Sequence, residues 1–238
     1  MPASSSTPWL SQGEEKRTAV QEIFSAIAPV YDRMNGWMSL SRHHAWRSDA
    51  VKLLDLKPNS TVLDLCCGTG DFLFPIRKAA PDGLVMGIDF CAPMLEKSVE
   101  KAPFAHHSLG DACRIPVQSE SVDAVAVGWG IRNVPDIDAA LAEIFRVLKP
   151  GGKFVTLDMA IPDNPVVRWG SHLMCGKVLP ALGSLFGQKL AYQYLPESAE
   201  RFLTRPQLAS RMEVAGFKNV KWHNRMMGNI CLHEGAKP

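Results

Sequence analysis

The segment that most constrains this chain is a glycine-containing loop at residues 64–71, Asp-Leu-Cys-Cys-Gly-Thr-Gly-Asp. It directly follows a short apolar run, a pattern that predicts a strand leading into a tight turn. Glycines in such a turn let the backbone approach a ligand and present its amides. A dinucleotide fingerprint would place a third glycine where Leu73 stands, and the Gly-Lys-Ser/Thr of a phosphate-binding Walker loop is missing. The loop therefore favours a nucleoside ligand without phosphates.

Two acidic residues strengthen the nucleoside interpretation. Asp89 ends the next apolar run, about 20 residues after Gly70, where an acid in this kind of fold accepts hydrogen bonds from ribose hydroxyls. Alternatively, Asp89 binds no ligand, and its negative charge interacts with the positive end of the dipole of the following helix. Asp111 follows a short third strand, where its carboxylate could accept the adenine amino group or simply close a turn.

Predicted strands alternate with predicted helices along the chain. The strands are expected at 61–65, 84–89, 106–109, 122–127, 153–158, 217–222 and 228–233. The helices are expected at 14–28, 41–56, 72–80, 93–101, 137–148 and 205–215. This alternation predicts an α/β fold, a mainly parallel sheet with helices on both faces. Ligands of such sheets bind beyond the carboxyl ends of the strands, which is where the loop and both acids fall.

Length and composition indicate one ordinary globular domain. The chain has 238 residues, 46% hydrophobic and 21% charged, so we expect one domain at 13–238 behind a flexible Ser- and Pro-rich tail at 1–12. A net charge of +2 gives no strong attraction to nucleic acid or to anionic lipid, although it does not report local basic patches. The six cysteines form no Cys-x-x-Cys pair, which argues against a metal site and for the reducing cytoplasm. No secretion signal or membrane-spanning run is expected.

Four further segments carry a narrower resemblance. Residues 31–46 and 146–152 resemble the two signatures of the quinone C-methyltransferases of menaquinone and ubiquinone biosynthesis. Residues 130–134, Gly-Ile-Arg-Asn-Val, and 192–198, Tyr-Gln-Tyr-Leu-Pro-Glu-Ser, also match that family, and the loop resembles motif I of class I methyltransferases. The resemblance covers about residues 20–235. It implies a seven-stranded, Rossmann-like, mostly parallel sheet with N-terminal helices and a helical lid, with lid elements at about 14–56 and 163–200.

By this resemblance the cofactor is S-adenosylmethionine and no metal takes part. Its expected ligands are Asp64, Gly68, Thr69, Gly70, Asp89, Asp111, Ala112 and the backbone of Gly128. Asp64 would orient the loop and reach the methionine amino group. Relatives often place a serine at position 128, so only a backbone contact carries over to the glycine found here.

The reaction implied is methylation of a ring carbon of a prenylated quinol, with demethylmenaquinol as the first candidate. Losing a hydroxyl proton makes the ring carbon nucleophilic, so the protein must supply alignment, a dry pocket and a base. Arg132 is expected to stabilise the phenolate or position a water that removes the proton; its alternative is an ion pair that closes the loop. Asn133 would hydrogen-bond a quinol oxygen, and His43 is the candidate base. The residues expected to line or close the substrate pocket are Tyr31, Tyr192 and Tyr194.

Other interpretations stay open at this stage. An apolar stretch at 165–186 suits either a prenyl tail or the packing of a lid, and its exposed part would favour peripheral contact with the inner face of a membrane. The chain could instead methylate another small lipophilic phenol, or be a catalytically silent cofactor-binding subunit of a quinone-synthesis complex. The ring system, the tail length and a homodimeric state are not determined by these motifs.

Overall fold

The structure, a computed structural model, describes residues 13–174, 194 and 197–238. Seven strands form one sheet in the order β3-β2-β1-β4-β5-β7-β6. All neighbouring pairs are parallel except those of β7, which runs antiparallel to β5 and β6. The bounds are β1 Val62–Leu65, β2 Val85–Asp89, β3 His106–Leu109, β4 Val122–Gly128, β5 Leu148–Met159, β6 Lys218–Arg225 and β7 Ile230–Ala236. The predicted seven-stranded, mostly parallel sheet is thereby confirmed.

Helices cover both faces of this sheet. Their bounds are α1 Gly13–Ile27, α2 Tyr31–Ser39, α3 His43–Leu53, α4 Leu73–Ala79, α5 Ala92–Lys101, α6 Ile137–Val147, α7 Pro165–Leu173 and α8 Arg205–Val214. The prediction of a helix at 41–56 corresponds to α3, whereas α2 was not predicted. This nine-residue helix has only a weak apolar pattern: Tyr31 and Met34 are half-buried against the cluster around α1, Trp37 is 75% exposed, and no residue is fully buried. Leu40 and Ser41, both with positive φ, separate α2 from α3.

The side chains of β1 show how the two faces are packed. Leu63 and Leu65 point into a core shared with α6 and α8, while Val62 points into a core shared with α3 and α4. Successive strand residues alternate between faces, so Asp64 shares the α3–α4 face with Val62. This alternation places a buried carboxylate directly beneath the glycine loop.

A third apolar cluster places the N-terminal helices over the sheet edge. In this cluster, α1 packs against Met94 of α5 and against Tyr194. Phe24 and Tyr31 lie at the margin of the cluster. The helices α1–α3 occupy the first predicted lid segment. The tail at 1–12, Tyr192 and most of the second lid segment, 163–200, lie outside the described residues. No helix in the described ranges is long and apolar enough to span a membrane.

Candidate functional site

A cavity opens at the carboxyl edge of the sheet, between the strand ends and the N-terminal helices. The loops that follow β1 to β4 form its floor, and α1 and α2 form its roof. Seven of the residues proposed from sequence line it: Tyr31, Gly68, Asp89, Asp111, Ala112, Gly128 and Asn133. Residues far apart in sequence are thus brought together as the strand-end argument predicted.

Two backbone amides of the glycine loop donate hydrogen bonds to β2. The amide of Gly68 donates to a carboxylate oxygen of Asp89 at 2.7 Å, and the amide of Cys67 donates to the carbonyl of Ile88 at 3.0 Å. Gly68 has φ 56° and Gly70 has φ 85°, a region that favours glycine. A side chain on Gly70 would also lie 2.4 Å from the Ser98 hydroxyl. The loop therefore requires its glycines for backbone geometry and for close packing on α5.

Asp89 combines a structural and a ligand-facing role. Its two carboxylate oxygens accept the amides of Gly68, at 2.7 Å, and Cys91, at 2.8 Å. Burial raises the pKa of this carboxyl group above its ordinary value. Each carboxylate oxygen has a second lone pair, and Asp89 lines the cavity. The residue therefore fits the hydroxyl pair of a ribose, as S-adenosylmethionine would present it.

Asp64 has no hydrogen-bond donor in the described part of the chain. Its side chain is almost wholly buried, 1% exposed, and neither carboxylate oxygen has a partner there. Burial raises the pKa of Asp64 well above its ordinary value. Such an orphaned buried acid is unfavourable unless a donor completes it, which fits the predicted role toward the methionine ammonium group. Asp64 does not itself line the cavity, so that role stays a prediction.

Two further predicted cofactor ligands have protein partners of their own. Asp111 accepts the amide of Cys113 at 2.8 Å, and its other oxygen lies 3.7 Å from the guanidinium of Arg17. The hydroxyl of Thr69 donates to Asp32 at 2.6 Å and so points away from the cavity. Only the backbone of Thr69 is left for a cofactor contact.

Gly128 is a glycine because of a neighbouring aromatic ring. A Cβ atom at this position would lie 2.7 Å from the ring of Phe72. We predict that Gly128→Ser destabilises the fold by about 1–3 kcal/mol through overpacking, and that adding Phe72→Leu restores part of this loss. Chemical denaturation measures both, with Gly170→Ser, which meets no atom within 4 Å, as the control. Equal stability of Gly128→Ser and wild type would contradict the steric explanation.

Arg132 lies in a buried ion pair. Its Nη1 atom donates to Asp158 at 2.5 Å and to the carbonyl of Trp129 at 3.0 Å. The pair closes the turn after β4, which is the alternative that the sequence left open for Arg132. The Nε atom of Arg132 and the second oxygen of Asp158 have no partner among the described residues. Arg132 is not among the residues that line the cavity.

Asn133 is the polar residue of this turn that does reach the cavity. Its side-chain NH2 group donates to the carbonyl of Trp129 at 2.8 Å. The phenol of Tyr194 donates to the side-chain oxygen of Asn133. Burial raises the pKa of Tyr194 to about 12, so its hydroxyl remains protonated. The amide orientation of Asn133 is therefore held from both ends.

The structure places His43 away from this cavity. His43 lies in a separate pocket with Asp71 and His44, and its Nδ1 atom faces the guanidinium of Arg47. Burial, followed by the charge of Arg47, lowers the pKa of His43 to about 4. A neutral imidazole held in this way is a weak base, and His43 does not line the cavity, so the structure argues against the predicted role of His43 as the catalytic base.

Several residues of the cavity were not predicted from sequence. Arg17 and Phe24 reach it from α1, and Trp129 reaches it from the turn after β4. The ammonium group of Lys16 donates to the carbonyl groups of Arg132 and Val134, at 3.1 and 2.8 Å. These contacts tie α1 to the turn that carries Arg132 and Asn133. They join distant segments without a motif, so no local sequence signal could have revealed them.

Solved structures share this fold. A SAM-dependent methyltransferase from Thermotoga maritima, described as a possible histamine N-methyltransferase, superimposes with a TM-score of 0.67 at 21% identity, covering 92% of this chain and 100% of that one. Phosphoethanolamine N-methyltransferase 2 from Haemonchus contortus, solved with S-adenosylmethionine, superimposes with a TM-score of 0.60 at 14% identity, covering 82% of this chain and 52% of that one. At these identities the likeness shows the fold alone, that of class I methyltransferases.

Relatives in sequence are much closer. A demethylmenaquinone methyltransferase of Lactiplantibacillus plantarum is 40% identical, covering 92% of this chain and 95% of that one. Another from Desulfitobacterium hafniense is 36% identical, covering 95% of this chain and 92% of that one. The model of the ubiE/COQ5 methyltransferase family matches residues 11–237. The resemblance seen in the sequence is thereby confirmed: the chain belongs to the ubiE/COQ5 methyltransferase family and is an enzyme that uses S-adenosylmethionine.

Proposed function

We propose that this enzyme methylates a ring carbon of a prenylated quinol and that its substrate is demethylmenaquinol. The observation that carries the proposal is the Asn133 amide, fixed by Tyr194 at the wall of the cofactor cavity. The names of the relatives support the naphthoquinol ring over a benzoquinol. A quinol hydroxyl is the group that such an amide could recognise.

The geometry of Asn133 determines what it can offer a substrate. Its oxygen accepts from Tyr194 and one N–H donates to the carbonyl of Trp129. One N–H therefore has no acceptor among the described residues, because an amide NH2 group carries two donors. That donor would bind a quinol oxygen and favour its ionised form, since a hydrogen bond to the charged state stabilises it.

The bond changes balance once a water accepts the one proton that the reaction releases, and the sulfur leaves as the neutral thioether of S-adenosylhomocysteine. S-adenosylmethionine supplies an electrophilic sulfonium methyl group when bound. The ionised quinol pushes electron density onto the neighbouring ring carbon, a carbon–carbon bond forms as the sulfur–methyl bond breaks, and the ring proton then leaves to restore aromaticity. Asp89 and Asn133, both on the cavity wall, would align the two reactants.

Arg132 would act from behind the cavity wall. Its guanidinium lies in the turn next to Asn133 and is paired with Asp158, so what it can offer is a directed N–H donor. Its Nε atom, without a partner in the described ranges, is a donor that could hold a water to receive the ring proton. In this proposal Arg132 assists the proton transfer without touching the ring.

A direct assay tests the substrate. Purified enzyme is incubated with S-adenosylmethionine and reduced demethylmenaquinone, and the product is identified by mass spectrometry; we expect the singly methylated menaquinol. A prenylated benzoquinol and a simple lipophilic phenol are assayed in parallel. Turnover of the phenol alone would support methylation of another small phenol. Cofactor binding without turnover of any prenylated quinol would refute the proposed activity and favour a silent subunit.

We also propose that the enzyme meets its lipid substrate through an apolar surface formed by α7 and the turn Met226–Gly228. Val166, Trp169 and Leu173 follow one another at helical spacing on α7, and Val166 and Trp169 are 75% and 69% exposed. Met227 in the turn is 75% exposed. Helix α7 follows the carboxyl end of β5, and the turn Met226–Gly228 precedes β7, which starts at the same edge because it runs antiparallel to β5. The cavity opens at this edge.

The two parts of this apolar surface are joined, and the surface carries one basic side chain, Arg168, that has no acidic partner among the described residues. Ser171 of α7 hydrogen-bonds the side chain of Asn229, and the amide of Ala160 donates to the carbonyl of Asn229 at 2.9 Å. Residues 164–174 and 223–229 include arginine and histidine but no acidic residue. A helix with exposed Trp, aliphatic and basic side chains is typical of proteins that lie on membrane surfaces.

Vesicle sedimentation tests this surface. We predict that the full chain binds vesicles containing anionic phospholipid and that Trp169→Ser with Met227→Ser weakens binding on the order of tenfold, because each loses buried apolar area. Val214→Ser removes an apolar side chain that is even more exposed, 86%, but lies at the opposite edge of the sheet, and it serves as the control. Equal loss of binding in the control, or none in the double variant, would contradict the assignment.

A further inference from the structure

Beside the cofactor cavity, three separate segments meet in a network of charges. The ammonium group of Lys101, at the end of α5, lies 2.8 Å from Asp32 of α2 and 2.6 Å from Asp71 of the glycine loop. The hydroxyl of Thr69, also in the loop, donates to the other oxygen of Asp32 at 2.6 Å. We call Asp32, Thr69, Asp71 and Lys101 the clasp. It connects α2 to the loop that faces the cofactor.

The inner end of the clasp is anchored in the protein. Asp71 is buried, and its second oxygen lies 3.3 Å from the guanidinium of Arg47 and 3.6 Å from His43. Burial alone would raise the pKa of Asp71, but Arg47 and Lys101 outweigh it and hold the pKa below the ordinary value. His43, His44 and Asp71 have the spacing of a metal site. The two cations already paired with Asp71 make a metal ion unfavourable there, so the cluster is better explained as an ionic connection.

The helix at the outer end of the clasp depends on it. The apolar packing of α2 is limited to its first turn, where the half-buried side chains of Tyr31 and Met34 pack against the cluster around α1, and no residue of the helix is fully buried. Tyr31 also lines the cavity, and a Cβ atom on Gly68 would lie 4.0 Å from the Tyr31 ring. Tyr31 thus forms the roof of the cavity across from the loop. The strongest contacts between this helix and the loop are the polar ones to Asp32.

We propose that the clasp holds α2, and with it Tyr31, over the bound cofactor, which makes Asp32 and Lys101 positioning residues for retention of S-adenosylmethionine. Removing Lys101 leaves Asp32 and Asp71 with like charges facing each other, so the roof should loosen. Removing the charge of Asp32 weakens the connection of α2 to both Thr69 and Lys101, because asparagine keeps only one neutral acceptor oxygen for these two donors. The inference concerns the cofactor alone and does not rest on the identity of the quinol.

Calorimetry with S-adenosylhomocysteine tests the clasp without any methyl acceptor. We expect Lys101→Met and Asp32→Asn each to weaken binding on the order of tenfold, because each breaks charge-assisted hydrogen bonds. Lys101→Arg should restore most of the affinity, since it keeps the cation. The double variant should lose less than the sum of the two single variants, because both act on one connection.

Hydrogen exchange of the complex provides the second readout. In the bound state, amides of 31–39 should exchange faster in Lys101→Met than in wild type, while those of β1 and β4 stay protected. Lys149→Met breaks a lysine–aspartate pair of similar length, 2.8 Å, at the opposite edge and should change neither readout. If Lys101→Met does not fold, Asp32→Asn, on a half-exposed side chain, carries the same test. Unchanged affinity and exchange in the clasp variants, or equal changes in Lys149→Met, would overturn the proposal.

Discussion

Arg132→Met should lower quinol turnover by about a hundredfold or more and also destabilise the fold, whereas Arg132→Met with Asp158→Leu should recover the stability but not the turnover. The first effect follows from the loss of the Nε donor, which in our proposal holds the water that receives the ring proton. The second follows from the burial of both partners, whose side chains are 3% and 5% exposed. Removing one member of such a pair leaves an uncompensated charge and costs about 3–5 kcal/mol.

The double variant is what makes this prediction decisive. It removes both buried charges, and a buried ion pair can often be replaced by apolar residues without loss of stability. Denaturant unfolding measures the stability, calorimetry with S-adenosylhomocysteine measures the cofactor site, and turnover is measured with saturating cofactor. If turnover returns together with stability, Arg132 only closes the turn through Asp158. If turnover remains low in a stable protein that still binds the cofactor, Arg132 assists the chemistry.

The parallel strands could be predicted from sequence because both of their faces are buried. All four residues of β1 are buried, as are most of β2 and β4. Strands buried on both faces appear in the sequence as nearly continuous apolar runs. Their ends are marked by turn residues, so the positions of Gly68, Asp89 and Gly128 at one edge followed directly. The helix α2 could not be predicted in this way, because it is short and its apolar residues Tyr31 and Met34 are only half-buried.

The direction of polar side chains was the harder part of the site. Thr69 lies in the predicted cofactor loop, yet its hydroxyl is bound to Asp32, a residue 37 positions earlier. His43 belongs to a recognisable signature, but its burial beside Arg47, which lowers its pKa, depends on how α3 packs. Contacts of this kind depend on tertiary structure and leave no local pattern. Spacing can therefore place a residue at the correct edge without revealing what its side chain touches.

Asp89→Asn should weaken S-adenosylhomocysteine binding by at least about a hundredfold, the largest loss that we expect for a single change in the cofactor site. Two charge-assisted hydrogen bonds to ribose hydroxyls would be lost or reduced, each contributing about 1.5–3 kcal/mol. The two oxygens of Asp89 accept the backbone amides of Gly68 and Cys91. In Asp89→Asn, one of these backbone N–H groups would face the side-chain NH2 group, which cannot accept a hydrogen bond. The glycine loop would therefore lose part of its support from β2.

Asp123→Asn is the control that separates the ligand role of Asp89 from its structural role. Asp123 also accepts a backbone amide, that of Thr61 at 2.7 Å, but it lies at the start of β4, on the edge opposite the cavity. Both variants should lose some stability in denaturant, because each weakens a carboxylate bound to a backbone amide. Only Asp89→Asn should lose cofactor affinity. Similar affinities in the two variants would mean that Asp89 supports the loop without binding the ribose, and the nucleoside interpretation of the carboxyl edge would then rest on Asp111 and the glycine loop alone.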